Sequence, residues 1–243
     1  MKIKNYKERI KNMRFMNKFL HDMDFIENVR KNNNLNFTFF FLLKDINTLY
    51  NSVNSILTSK HLKDILAIYL GITNYINDSK VQGFSISSLP SISDHLTVNR
   101  KSSIGRFIYN LLEKNESEII NIVDELSYVP LGVSIDIDNS MSEMKGILKE
   151  INDINKELDK IEEFIQSDEA NNNKEMKYGA EIYFSKLLDF ATEALKRFED
   201  TEKLIEDTKK KIVLLTEKLG ESKTTKVFDM LNPIKLFLKT FKN

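Results

Sequence analysis

The chain is 243 residues long, 41% hydrophobic and 30% charged, with 36 basic residues balanced by 36 acidic ones. That is enough apolar material for one large domain or two small ones, and zero net charge excludes a global field that would draw the chain onto nucleic acid or an anionic membrane. With no cysteine, a disulfide framework and thiolate metal ligation are excluded as well.

Only seven glycines and three prolines interrupt a chain rich in Lys, Glu, Leu and Ile, so long helices are favoured over strands and the fold class expected is all-α. Residues 1–31 are charged throughout, with nine Lys or Arg against four Asp or Glu, and contain no signal-peptide apolar core. The longest apolar run, Phe39 to Leu43, is far short of the ~20 residues a membrane helix needs. A cytoplasmic protein is expected.

In chain order, helices are expected over Tyr6–Val29 and Phe37–Leu57, separated by a turn at Lys31–Asn36 where KNNNLN disfavours helix. His61–Ile76 is apolar nearly all round and reads as the central helix of a bundle. Asn77, Asp78 and Ser79 stop it. Gly83 is expected where positive φ or close packing excludes a Cβ, and Asp94 or a neighbour is expected to cap a helix over Ser102–Lys114. A shorter helix is expected near Glu116–Glu125.

Met144, Ile147, Ile151, Ile154, Leu158, Ile161 and Ile165 recur at alternating spacings of three and four, a heptad seam. Ser140 with Glu143 forms a capping-box signature, which starts this helix near Met141 and gives it a length of about 40 Å. Ser167–Glu175 reads as its terminating loop. A second seam runs through Phe184, Leu188, Ala191, Leu195, Phe198, Ile205, Ile212 and Leu219, interrupted by Glu202, Lys209 and Thr216, so the two helices should form a long antiparallel hairpin. Gly220 ends it, and Val227–Phe241 reads as a last amphipathic helix containing Pro233.

Chemistry is sparse. There is no Gly-rich phosphate loop, and His21, His61 and His95 are scattered without a second ligand at helical spacing, so neither cofactor nor metal is expected. Asp136 and Asp138 begin like a calcium loop, but Met141 stands at the glycine position and Ile147 at the glutamate position. An enzyme is not expected.

Several short motifs, in order, carry a resemblance. Thr73-Asn74-Tyr75-Ile76-Asn77 is succeeded by a polar stretch, Gly83-Phe84, Ser87-Ser88-Leu89, Ser93-Asp94 and, beyond a basic step, Arg106-Phe107. Asp124-Glu125-Leu126 comes next, then the heptad helix, Gly220-Glu221-Ser222, and a final helix with Phe228, Phe237 and Phe241. This resembles the formin homology-2 domain, whose signature reads GNYMN, a polar loop, GF, SSL and SD, with DEL and GES further on.

The resemblance covers nearly the whole chain and implies a single partial domain of elongated all-α form: late knob over residues 1–60, post over 61–135, long helical hairpin over 136–219 and terminal helix over 223–243. It implies actin as partner, with the parent domain nucleating filaments and capping the barbed end processively. It further implies a ring partner, a second formin subunit whose lasso docks on Asn74, Tyr75, Asn77, Gly83 and Phe84. No stretch here resembles the lasso and linker, or the proline-rich segment that recruits profilin, so weak nucleation by this chain alone and no direct profilin contact are expected.

Two positions depart from the family pattern. Thr73 stands where the glycine before the asparagine is expected, and Leu96 stands where the family carries an actin-contacting lysine. Arg100, Lys101 and Arg106 are the candidates to supply replacement charge for actin, a solvated basic turn being the other reading of them. For the docking set, the other reading is that Asn74 and Asn77 cap a helix end while Tyr75 and Phe84 fill the core. A coiled-coil scaffold without actin contact is the alternative function, and a membrane-bending dimer fits the hairpin but lacks a concentrated basic face on it.

Overall fold

The computed structural model describes residues 25–242 apart from Glu116, with side chains from Leu35 to Phe241. The helix expected over Tyr6–Val29 lies outside the described residues as far as Asp24, as does His21. The architecture is all-α. Among the described residues there is no strand, and the only extended pairing is an isolated antiparallel bridge between Leu96 and Ser103. The chain divides into two units at Phe41–Leu42, and every helix after the first lies in the second unit.

Helix α1 (Phe25–Thr58) runs straight through Lys31–Asn36, where a turn was expected. Each Asn costs a helix only a few tenths of a kcal/mol, whereas the stripe Leu35, Phe39, Leu42, Ile46, Leu49, Val53 and Ile56 is buried at every position. Burial of that stripe outweighs local propensity. Helix α2 (Leu62–Ile76) buries Leu62, Ile65 and Tyr69 but leaves its last turn, Tyr75 and Ile76, exposed, so it is not the all-round buried helix expected.

The short helix α3 (Leu89–Asp94) and α4 (Ile104–Lys114) come next, with Ser103, not Asp94, capping α4 by accepting from Arg106 N–H at 3.2 Å. Helices α5 (Ile122–Glu125) and α6 (Val129–Gly132) lead to the hairpin. Gly132 meets α1 where Ser52 Oγ donates to the Tyr128 carbonyl at 2.8 Å, and a Cβ at Gly132 would strike that hydroxyl.

The hairpin is α7 (Ile137–Gln166), a five-residue helix α8 (Asp168–Asn172) and α9 (Lys174–Lys218). α7 begins before the position the capping box suggested, because Asp136 is the cap, accepting from Asp138 N–H at 2.9 Å, while Ser140 is buried. The expected polar loop Ser167–Glu175 is instead two consecutive helix starts, capped by Ser167 and Asn173.

The seam of α9 also differs. The buried seam positions are Leu187, Ala191, Ala194, Phe198, Thr201, Ile205, Thr208 and Leu215, at alternating spacings of four and three once half-buried Ile212 is included, with Ala180 before them and Thr216 beside Leu215 buried as well. Leu188 and Leu195, the more apolar-looking choices, face outward. Small Ala and Thr on the true seam permit close helix approach, and the Thr201 and Thr208 hydroxyls are satisfied by donating to the carbonyls of Arg197 and Leu204, each at 2.7 Å. Leu187→Ala should therefore cost about 3 kcal/mol in denaturant unfolding and Leu188→Ala under about 1 kcal/mol. Equal costs would refute this register.

The last helix, α10 (Val227–Lys242), packs against α3, α4, α6 and the 3-10 turn Ile86–Ser88. Met230, Leu231, Ile234, Phe237 and Phe241 are wholly buried, so α10 takes the central place expected for α2. Edge-on ring contacts join Phe237 to Tyr69 (centroids 5.6 Å apart) and Phe241 to Tyr109 (5.4 Å). Phe228, by contrast, is exposed.

Candidate functional site: an apolar groove with a basic wall

Asn74, near the end of α2, organises the loop that leaves this helix. Its Oδ1 accepts from Ser79 Oγ (2.9 Å) and Val81 N–H (3.1 Å), and its Nδ2 donates to the Val81 carbonyl (2.9 Å). One amide thus ties Ser79 and Val81 back onto the helix end. The chain turns at Asp78, which carries the positive φ of 45° expected of Gly83. Gly83 itself has ordinary φ and open space where its Cβ would be, so neither reason suggested for a glycine there holds. Asn77 is the exposed C-cap of α2, and Phe84 is half-buried against the core.

The segment His95–Ile104 forms a tight hairpin loop. Thr97 N–H donates to the Ser102 carbonyl (2.8 Å), Ile104 N–H to the His95 carbonyl (2.8 Å) and Arg100 N–H to the Thr97 carbonyl (2.7 Å). Asn99 Oδ1 accepts from Thr97 Oγ1 (2.8 Å) and Lys101 N–H (3.0 Å), which supports Arg100 in a left-handed conformation at φ 54°. A loop so tied holds its side chains at fixed bases: Val98 is fully exposed at the tip and Leu96 is 54% exposed.

Between this loop and the end of α2 lies an open groove of about 1390 Å³. Its exposed apolar lining comes from Tyr75 (89% exposed), Ile76, Leu96, Val98 and Phe107, over the less exposed Ile72 and Ile104, with Arg100 and Lys101 opposed by Asp94 alone among charged groups. The structure therefore brings together Tyr75, Arg100 and Lys101 from the two candidate sets. It leaves Asn74, Asn77, Gly83 and Phe84 off the lining, with Asn74 acting through the loop it holds. Arg106 stands apart, its guanidinium 5.5 Å from the Tyr109 ring centroid. Ile76, Val98 and Phe107 were missed in the sequence. Asn99, whose side chain braces a left-handed residue, was the available signal for a rigid tip there.

A smaller polar recess of about 310 Å³ near the α1–α2 junction is lined by Asn51, Asn54, Ser59, Lys60, Glu125 and Tyr128 among others. Ser59 Oγ donates to Glu125 Oε2 at 2.6 Å, and His61 Nδ1 lies 2.8 Å from Glu125 Oε1. Burial pushes the Glu125 carboxyl up, but the Ser59 hydrogen bond and the His61 contacts outweigh it and hold the group below its ordinary value. A carboxyl lowered on folding contributes stability above its unfolded pKa and loses it as pH falls through the folded value. Glu125→Gln should thus flatten the acid limb of a stability-versus-pH curve below the ordinary carboxylate range. An unchanged limb would contradict this.

Among the described residues no group of three His, Cys, Asp or Glu could hold a metal ion, and no helix is long and apolar enough to cross a membrane. Fold and groove together describe an all-α protein with an open, largely apolar surface groove flanked by two cations. Residues 1–242 match the Formin Homology 2 Domain, and the chain belongs to that family. It is 30% identical to Formin-like protein 2 of Bos taurus over 152 residues, 61% of this chain and 13% of that protein. It is 26% identical to Formin-H of Dictyostelium discoideum over 204 residues, 82% of this chain and 18% of that protein. To Disheveled-associated activator of morphogenesis 2 of Gallus gallus it is 23% identical over 171 residues, 69% of this chain and 15% of that protein. The chain spans less than a fifth of the length of each of these relatives.

Proposed function

We propose that this chain is an actin-binding segment of a cytoplasmic formin, working by positioning other polypeptides without covalent chemistry. The parent domain nucleates filaments and stays on the growing barbed end. Residues 1–60 serve as late knob, 61–135 as post and 136–219 as hairpin. The observation that carries this reading is the groove in which Tyr75, Ile76 and Leu96 meet Arg100 and Lys101, an aromatic and aliphatic floor with a cationic wall. Such a surface suits a partner segment presenting an apolar anchor beside a carboxylate. Asn74 and its loop present the face that receives the lasso of a second subunit.

Nucleic acid, membrane and profilin are not among the proposed direct partners. Sedimentation of the 243-residue chain with actin filaments tests the reading directly: saturable pelleting supports it, and none at all overturns it. In fluorescence-monitored assembly the chain alone should nucleate weakly, because its receiving face requires a lasso from another polypeptide. Strong, salt-resistant nucleation would overturn that part. One observation favours a second reading. Leu96, apolar and exposed at the position of the family's lysine, fits a coiled-coil scaffold that keeps the fold without the actin contact.

A further inference from the structure

The end of α9 gives one carboxylate a long reach. Gly220, at φ +69°, donates its N–H to the Glu217 carbonyl (3.1 Å), and Glu221 N–H reaches back to the Thr216 carbonyl (3.0 Å). This is the left-handed helix ending that glycine favours. It turns Glu221 toward the start of the 3-10 turn Ile86–Ser88, where Oε1 accepts from Ser85 Oγ at 3.0 Å and from Ile86 N–H at 3.3 Å. An N–H at the first position of a helical turn has no acceptor within it, so the carboxylate supplies a bond the local chain cannot make. Ser222 then orders the next turn, accepting from Thr224 N–H at 3.3 Å. Each residue of Gly220-Glu221-Ser222 thereby has a task.

Ser85 directly succeeds Gly83-Phe84, the far end of the loop that Asn74 ties at Ser79 and Val81. The exposed stretch Val81–Gly83 between them has no helix of its own. We propose that Glu221 is a positioning residue for the partner-receiving face: Asn74 ties the loop 77–84 at Ser79 and Val81, Glu221 ties its exit at Ser85 and Ile86, and the foot of α9 becomes part of that face. This role rests on the proposed actin-binding function. The Asn74 tie is made within one stretch of chain, whereas the Glu221 tie joins residues 135 apart, so it depends on the hairpin being in place.

The test compares Glu221→Ala, which removes the acceptor, with Glu221→Gln, which keeps an Oε1 in its place. In Glu221→Ala, hydrogen exchange of the Ile86 amide should speed up about tenfold, with α4 and α10 amides unchanged. Binding to actin filaments should weaken about fivefold at an unchanged Tm, because the loop leaves the same end of α2 that sets Tyr75 and Ile76 in the groove. Glu221→Gln should recover most of both. The proposal is overturned if Ile86 exchange stays at the wild-type rate in Glu221→Ala, if Glu221→Gln behaves like Glu221→Ala, or if binding falls only in step with Tm. If the wild-type chain fails to pellet with filaments, the actin-binding function fails, and the exchange comparison still decides whether Glu221 ties the loop.

Discussion

Reversing both cations of the hairpin loop, Arg100→Glu with Lys101→Glu, is expected to weaken co-sedimentation with actin filaments by at least about tenfold. Both residues sit on a loop whose backbone is tied by three internal hydrogen bonds and by Lys101 N–H on Asn99, with Arg100 braced in its left-handed conformation by the Thr97 carbonyl and by the Asn99 side chain beside it. Their charges therefore reach the groove without the ordering cost of a mobile loop, and only Asp94 opposes them there. Because the groups are solvent-exposed, the wild-type affinity should fall with added salt and that of the double variant should barely change. Arg106→Glu is the control, since Arg106 lies off the groove over Tyr109. Leu96→Lys is the complement: it restores a cation beside Arg100 and should tighten binding several-fold while steepening the salt dependence. Circular dichroism should show the Arg100, Lys101 and Leu96 variants folded, because these exposed substitutions away from caps and core cost within about 0.5 kcal/mol; Arg106 is half-buried in the first turn of α4, so binding of the control is compared at equal folded fraction. If the double variant pellets as wild type does, the basic loop is merely solvated. If neither pellets, the scaffold reading of the chain stands.

The all-α fold and the hairpin were legible because heptad spacing states itself in sequence, and the α7 seam appears as expected, with Ile154 and Ile165 only half-buried. The α9 seam was misread at alternate positions for a physical reason. Leu188 and Leu195 are more apolar than Ala194 and Thr201, yet close helix packing selects small residues, and a threonine whose hydroxyl bonds its own helix behaves as one. The turn expected at Lys31–Asn36 failed because propensity is a weak prior against a continuous buried stripe. At the site, Tyr75 could be named from its motif, but its exposure was not legible, because His61–Ile76 reads as apolar nearly all round. Asn74 was readable as a polar group in need of partners, but not which partners, since its bonds run to a loop several residues on. The ties of Glu221 to Ser85 and of Ser93 to Thr240 span well over a hundred residues, and no local pattern announces them.

Gly105→Ala should destabilise the chain by about 3 kcal/mol, although alanine is the better helix former by about 1 kcal/mol at an ordinary interior site. A Cβ at Gly105 would collide with Ser93 Oγ and stand 3.1 Å from Tyr69 Oη and 3.2 Å from the Ser93 carbonyl. None of these can retreat freely. Ser93 and Tyr69 are wholly buried, and Ser93 Oγ is shared between Tyr69 Oη at 3.2 Å and Thr240 Oγ1 at 3.3 Å, so moving it breaks a chain of hydroxyls joining α2, α3 and α10. The Tyr69 phenol is pushed up to about 12, by burial first, with the Ser93 bond opposing and Asp94 adding, so it stays a neutral donor throughout the useful pH range. Denaturant unfolding should give the loss directly, with Tm lower by roughly 6–12 °C for a chain of this size. Ser93→Ala alone should cost about 1–2 kcal/mol by stranding the Tyr69 hydroxyl. The double variant should be less destabilised than the sum, because the first collision is gone. Additive losses would mean that Gly105 and Ser93 do not share this contact. The same contact bears on the groove: Ser93 immediately precedes Asp94 and Gly105 comes directly after Ile104, so their close approach clamps both stems of the loop that carries Arg100 and Lys101. Filament binding by Gly105→Ala should consequently fall together with its stability and recover with it in the double variant, which separates this buried support from the surface charges it holds in place.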